Sequence, residues 1–371
     1  MGINPKNGRR QQAKRRFPTE KAARVAPAEL QGAAAKGQVT VRTTITVNEV
    51  VRAYVAGRRG LRDSSRAKMQ YDLAHLCERH GSLPVQRLSK AHIDELVNDL
   101  VAGGTETAKG RTRKPWSPSA VNKVITTIEQ VLEDAMRQGI IPRNIAELVD
   151  RAPMGDGVVE TYTEAEVDTI LTAIAGDRLG HAWELALSGL RRGEVAGLRW
   201  SDVDLDAATL NVSNNRVWAG GRTVENAPKS FASRRTLPLP DRLITVLRSA
   251  KARQAAERLA IGGGAFEYVV SNEVGEPYSP PVLSRYWRDR VKAAGVRHIK
   301  LHGARHTCAT LMHLQQVPAS IIAAWVGHKD ATLTMKMYVH SQDDALKAAG
   351  ATLNLLQLPP PPRRPQRPDP L

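Results

Sequence analysis

Between about residues 44 and 148, apolar side chains recur at three- and four-residue steps, the period of a helix with one buried face. Val47, Val50, Val51 and Tyr54 make one such face. Met69, Leu73 and Leu76 make a second, which stops at Gly81. Ser89 is placed to cap a third helix, with Ile93, Leu96, Val97 and Leu100 inward and Gly103 beyond its end. Ser117 followed by Pro118 is a cap plus a proline at the first helical position. It opens a fourth helix carrying Val121, Val124, Ile125, Ile128, Val131 and Leu132. The pattern predicts a small helical bundle whose third and fourth helices are joined by a loop with Lys109, Arg111, Arg113 and Lys114.

The turn-rich stretch RAPMGDGVV, from Arg151, reads as a linker, and Thr163 with Glu166 forms a capping box for a new helix. Helical periodicity dominates the remainder, except from Thr209 to Pro240, where short β-like runs (TLNVSNN, RVWA, RTVENAPK, RRTLPLP) flank Gly220-Gly221. The expected fold class is mostly α with a small antiparallel β-sheet, in two folded parts and without internal repeats.

Composition adds a partner to this outline. The chain has 371 residues, 54 Lys plus Arg against 37 Asp plus Glu, a net charge of +17, and 42% hydrophobic residues. Wholesale disorder is excluded. No apolar run reaches the ~18 residues of a membrane span and no signal-peptide core is visible, so no membrane association and a cytoplasmic location are expected. Two distant cysteines, Cys77 and Cys308, exclude a disulfide scaffold and a cysteine-based zinc site. A strongly basic chain implies a polyanion, nucleic acid above all. Residues 1–40 hold nine basic and two acidic side chains, an arm in which Arg9, Arg10, Lys14, Arg15 and Arg16 are candidate DNA contacts. The Pro-rich end, PPPPRRPQRPDPL, has no means of building a core.

Four segments of the second part carry candidate chemistry: SGLRRGEVAGLRWSDVD from Ser188, PKSFASRRTLPL with Lys229, LHGARHTCAT from Leu301, and WVGHKDATLTMKMYVH from Trp325. In this order they resemble the tyrosine recombinase, or phage integrase, family, and most the integrases of actinobacterial temperate phages. The resemblance covers about residues 44–355. It implies a helical core-binding domain and an α+β catalytic domain. Residue by residue, it makes Arg191 the first catalytic arginine and Lys229 the hairpin lysine that protonates the leaving 5′ oxygen. His302 and Arg305 match the HxxR pair, and His328 the histidine of the Gly-His step. Tyr338, ten residues after His328, matches the nucleophile, and Glu194 the acidic residue that orients the first arginine. Gly303 and Ala304 depart from the acidic and aliphatic residues the family commonly has there.

The residue types suit the reaction. Guanidiniums clamp the nonbridging oxygens of a phosphodiester as it gains charge. A histidine and a lysine can take the phenol's proton and supply the leaving alkoxide's. A tyrosine nucleophile conserves the bond as a phosphotyrosine ester, so no ATP is needed. Each residue alone has a plainer reading. Arg191, like Arg192, could be a surface charge, Lys229 an ordinary hairpin lysine, Tyr338 a helical core tyrosine. His298, His302 and His306 stand at i, i+4 and i+8, yet HGARH lacks the glutamate of HExxH and no third ligand presents itself. No metal and no cofactor are expected. His306 reads as a buried structural histidine, His313 as packing, and Gly262 to Gly264 as a connector without the GK[ST] of a phosphate loop.

The resemblance places the domains at 1–43 (basic arm, a degenerate arm-type DNA-binding region), 44–150 (core-binding), 151–158 (linker), 159–358 (catalytic) and 359–371 (Pro-rich tail). It implies a homotetramer on double-stranded DNA attachment sites, in a bacterial host, with a host DNA-bending factor and an excisionase as partners. The helical segment after Tyr338 would dock on a neighbouring protomer or on its own. The alternatives are a chromosomal dimer-resolving recombinase, against which the basic arm argues, a type IB topoisomerase, and an inactive DNA-binding regulator.

Overall fold

The structure, a computed structural model, describes residues 42–104, 110, 112–155, 159–226, 234–264 and 266–328, with Thr19. It divides into two compact units, Met1–Gly157 and Val158–Leu371.

In the first unit, α1 (Val47–Gly57) starts at a reciprocal cap: the Glu49 amide donates to Thr46 Oγ1, and the Thr46 amide to Glu49 Oε2 at 2.7 Å. It is followed by α2 (Asp63–His80), α3 (Lys90–Ala102) and α4 (Pro118–Arg137). Ser89 and Ser117 occupy the N-cap positions of α3 and α4. The stripes foreseen from periodicity meet in one core, with Leu76, Ile93, Val121, Val124, Ile125 and Ile128 fully buried. Residues beyond α4 are strapped back on it. Asn122 accepts from the Ala152 amide at 2.8 Å and donates to the Ala152 carbonyl at 2.9 Å.

The second unit begins with α5 (Glu164–Ala173) and α6 (Gly180–Leu187), then the short α7 (Arg192–Gly197). Among the described residues its strands form two sheets rather than one. β1 (Val203–Asp204), absent from the sequence reading, pairs antiparallel with β2 (Thr209–Val212). A separate hairpin, β3 (Asn215–Ala219) and β4 (Arg222–Asn226), turns on Gly220 and Gly221, both at positive φ. β5 (Arg235–Pro238) returns to β2, setting Leu237 opposite Leu210 and Arg235 opposite Val212. α8 (Asp241–Ala260), α9 (Pro280–Ala293), α10 (Leu301–Leu314) and α11 (Ala319–Val326) follow among the described residues. Trp183 and Trp287 sit fully buried with ring centroids 5.8 Å apart, and Trp287 Nε1 donates to the Ile299 carbonyl at 2.8 Å. That anchor fixes the chain immediately before α10. Among the described residues no helix is long and apolar enough to cross a membrane.

Candidate active site

Four elements of the second unit converge: the turn between α6 and α7, the start of β5, the first turns of α10 and the end of α11. Gly189 makes the turn possible. Its φ is +100°, and a Cβ there would lie 3.3 Å from both Cys308 Sγ and the Trp325 ring. The turn's carbonyls then serve as anchors. Ser188 accepts from Trp325 Nε1 at 2.9 Å, and Gly189 accepts from Arg305 Nη1 at 2.8 Å.

Arg191, at the N-cap of α7, is held by Glu194, three residues on. Its amide donates to Glu194 Oε2 at 2.8 Å and Nη1 to Oε1 at 2.7 Å, while Nη2 donates to the Gly327 carbonyl at 2.6 Å. The side chain remains 31% exposed and so keeps one face for a ligand. Glu194 is buried. Burial pushes its carboxyl up, but hydrogen bonds and charge from Arg235, then from Arg191, outweigh this and hold its pKa below the usual carboxylate range.

Arg305 is only 1% exposed, and its Nε and Nη2 find no partner among the described residues. Burial, then the charge of Arg191, lowers its pKa to about 9. Burying a guanidinium with two nitrogens unpartnered is costly unless an anion completes it. His302, one turn before Arg305, stands edge-on to His306 with ring centroids 4.7 Å apart. Loss of hydration comes first, then the charges of His306, Arg305 and Arg191, in taking its pKa to about 4. His328, just past the left-handed Gly327 that ends α11, is lowered to about 4 by burial, then by Arg305 and Arg191. Both imidazoles are therefore neutral at physiological pH. The arrangement is a cationic recess with two neutral bases, fit to hold a phosphoryl group and to move a proton at its edge.

Of the residues foreseen, the fold brings together Arg191, Glu194, His302, Arg305 and His328. Lys229 and Tyr338 lie outside the described residues, as do Arg9, Arg10, Lys14, Arg15, Arg16, Lys109, Arg111 and the segment after Tyr338. Arg113 is engaged within its own unit, donating to His75 Nδ1 at 2.8 Å and Glu78 Oε2 at 3.0 Å, whereas Lys114 is exposed. Arg192 is exposed and donates to Ser284 Oγ at 2.9 Å. His298 precedes α10, so the i, i+4, i+8 row with His302 and His306 is not one helical face. Among the described residues no three His, Cys, Asp or Glu side chains gather as a metal-holding group. Two members escaped the sequence reading. Arg235 donates twice to Glu194, and Trp325 is the donor to Ser188. The only signal for Arg235 was an arginine at the head of a strand-like run, a position where nothing local calls for a charge.

The sequence profile of the phage integrase family matches residues 160–345, half of the chain. The chain belongs to the phage integrase family. This integrase-family chain is 31% identical over 214 residues to a XerC-like tyrosine recombinase of Caldanaerobacter subterraneus subsp. tengcongensis. That match covers 53% of this chain and 54% of the relative, so it spans about half of the relative's length. Among solved structures, the fold is similar to the Tn1549 transposon integrase in complex with transposon right end DNA. The TM-score is 0.68 at 20% identity, covering 84% of this chain and 100% of that one. It is also similar to a lambda integrase tetramer bound to a Holliday junction, with TM-score 0.58, 18% identity, and coverage of 89% and 92%.

Proposed function

We propose that this integrase-family chain is a site-specific DNA recombinase that integrates or excises mobile-element DNA through a 3′-phosphotyrosine intermediate. The observation that carries the reading is Arg305, a buried guanidinium with two nitrogens that have no partner among the described residues, beside the half-open Arg191. Two arginines with free faces and two neutral imidazoles fit a phosphodiester better than any neutral ligand.

In this reading Arg191 and Arg305 hold the nonbridging oxygens of the scissile phosphate, and Glu194 orients Arg191. Tyr338 attacks phosphorus, its proton passing to His302. The P–O5′ bond breaks and Lys229 protonates the departing 5′ oxygen. His328 donates to a phosphate oxygen. The phosphate's charge raises both histidine pKa values from about 4 toward the working range. The 5′-hydroxyl of a partner strand then attacks the phosphotyrosine and releases Tyr338. The acting species is a homotetramer on double-stranded attachment sites, a reading supported by the fold shared with the lambda integrase tetramer. Residues 1–43 serve as a DNA-contacting arm, 44–150 as the core-binding domain, 151–158 as a linker, 159–358 as the catalytic domain and 359–371 as a tail. A host bending factor and an excisionase complete the partners, on the family resemblance alone.

The test is a nicked suicide substrate resolved on a denaturing gel. Wild type yields a covalent protein–DNA band, and Tyr338→Phe yields none. An adduct that persists in Tyr338→Phe removes the nucleophile assignment. Arg191→Ala and Arg305→Ala are expected to bind the site and to cleave it at least 100-fold more slowly. Loss of binding in both would recast them as structural.

A further inference from the structure

Glu194 answers to two arginines, and the second comes from a different element. Arg235 is the first residue of β5, and its side chain is 7% exposed. Nε donates to the Trp325 carbonyl at 2.6 Å. That bond leaves the two terminal nitrogens facing Glu194, where Nη1 lies 3.2 Å from Oε1 and Nη2 3.0 Å from Oε2. Each carboxylate oxygen thus receives one donor from Arg191 and one from Arg235.

The electrostatic consequence follows from counting charges. Glu194 with Arg191 alone would be a neutral pair. At a separation of 2.7 Å from a buried carboxylate, the opposite charge would cancel most of the field that Arg191 presents to an incoming anion. With Arg235 bound to the same carboxylate, the trio carries a net +1. The carboxylate can then fix Arg191 in place without neutralising it. An arginine suits this better than a lysine, since its fork meets both oxygens while Nε is held elsewhere.

We infer that Arg235 is a positioning residue of the recombinase site, balancing Glu194 so that Arg191 is held by the carboxylate yet keeps its positive charge for the scissile phosphate. The inference rests on the proposed phosphotyrosine reaction. It assigns Arg235 no contact with DNA. Its effect therefore belongs in the cleavage step and passes through Glu194.

The test is a double-mutant cycle on the full chain, reading the single-turnover rate of adduct formation on the suicide substrate and, separately, the dissociation constant for uncut site DNA. Arg235→Met is expected to slow cleavage 30-fold or more with binding within threefold of wild type. Arg235→Lys, which keeps the charge but not the fork, is expected to be at least fivefold faster than Arg235→Met. With Glu194→Gln already present there is no carboxylate to balance, and the same Arg235→Met change is expected to cost less than threefold. Equal losses with Glu194 and with Gln at that position, or a lysine no better than methionine, would overturn the inference and make Arg235 a residue of the fold. Should thermal melts show that Arg235→Met does not fold, Arg235→Lys in the two backgrounds decides by the same comparison. A larger loss with Glu194 supports the inference, and an equal loss removes it. A wild-type chain that forms no adduct removes the proposed reaction and this inference together, whereas a cleaving wild type with equal losses removes only the inference.

Discussion

Burial makes His181 a sensor of pH for folding rather than for chemistry. It sits on α6, 3% exposed, with Nε2 2.9 Å from the Val269 carbonyl. A carbonyl cannot donate, so Nε2 carries the proton, and Nδ1 has no partner among the described residues. Desolvation takes the pKa from 6.5 to about 4, against the opposing pull of the Val269 hydrogen bond. Between those values the unfolded chain binds a proton that the folded chain refuses, so acid favours unfolding. This contribution is fully present above about pH 6.5, falls as the pH falls, and is exhausted near pH 4. Its size is on the order of 3 kcal/mol at about 1.4 kcal/mol per unit. His181→Asn is expected to be less stable than wild type at pH 7.5 yet to lose less between pH 7 and pH 5, read as urea midpoints. Parallel losses in the two proteins would assign the acid sensitivity to other groups.

At the scale of the element, α10 explains the departure at Gly303. The helix carries both His302 and Arg305, so its start must lie tightly against the preceding chain. A Cβ on Gly303 would fall 2.1 Å from Ile299 Cγ2, and Ile299 is itself 4% exposed and anchored through its carbonyl to Trp287. An acidic residue would add a charge to the same collision. The glycine is thus a packing requirement of this chain, paired with Ile299. Gly303→Ala is expected to cost about 1–3 kcal/mol of stability, the usual range for overpacking. Ile299→Ala in the same chain removes the colliding methyl, so the double variant should lose less than the sum of the two single losses by chemical denaturation. Additive losses would mean that the helix start yields freely. α11 works in the opposite sense, its backbone serving as a frame. The Trp325 and Gly327 carbonyls accept from Arg235 and Arg191, so the end that presents His328 is tied to β5 and to α7.

For the whole molecule, the charge of +17 is a statement about affinity, whereas the proposed reaction calls on a handful of cations. Each phosphate neutralised by a basic side chain steepens the fall of log K with log salt by about 0.9. Residues 1–40 hold nine basic side chains, so a chain starting at residue 41 should bind attachment-site DNA with a slope shallower by several units. Its cleavage of a bound core site is expected to stay within about threefold of wild type, because the described elements that converge on the site all belong to the second unit. An unchanged slope would remove the arm from the DNA contacts. Arg113 shows why such assignments cannot be read from charge alone. Its guanidinium is directed to His75 and Glu78 rather than outward.

Local signals were enough for much of this protein. Periodicity marked the helices of the first unit and their buried faces, because a helix stripe is decided by residues three and four apart. Caps at Ser89, Ser117 and Thr163 are equally local, each a side chain meeting an amide within three residues. The spacings around Arg191, His302, Arg305 and His328 pointed to the family and to the proposed reaction. What the chain could not disclose is what depends on partners far apart in sequence. β1 is two residues long and exists only because β2 pairs with it. Gly303 is explained by the close approach of Ile299, and Arg113's direction by a helix 35 or more residues earlier. Arg235 becomes more than a strand arginine only when Glu194, 41 residues before it, and Trp325, 90 residues after it, close around its guanidinium. Sequence determines which side chains can do the chemistry; folding decides which charges are balanced, and therefore which remain available to an anion.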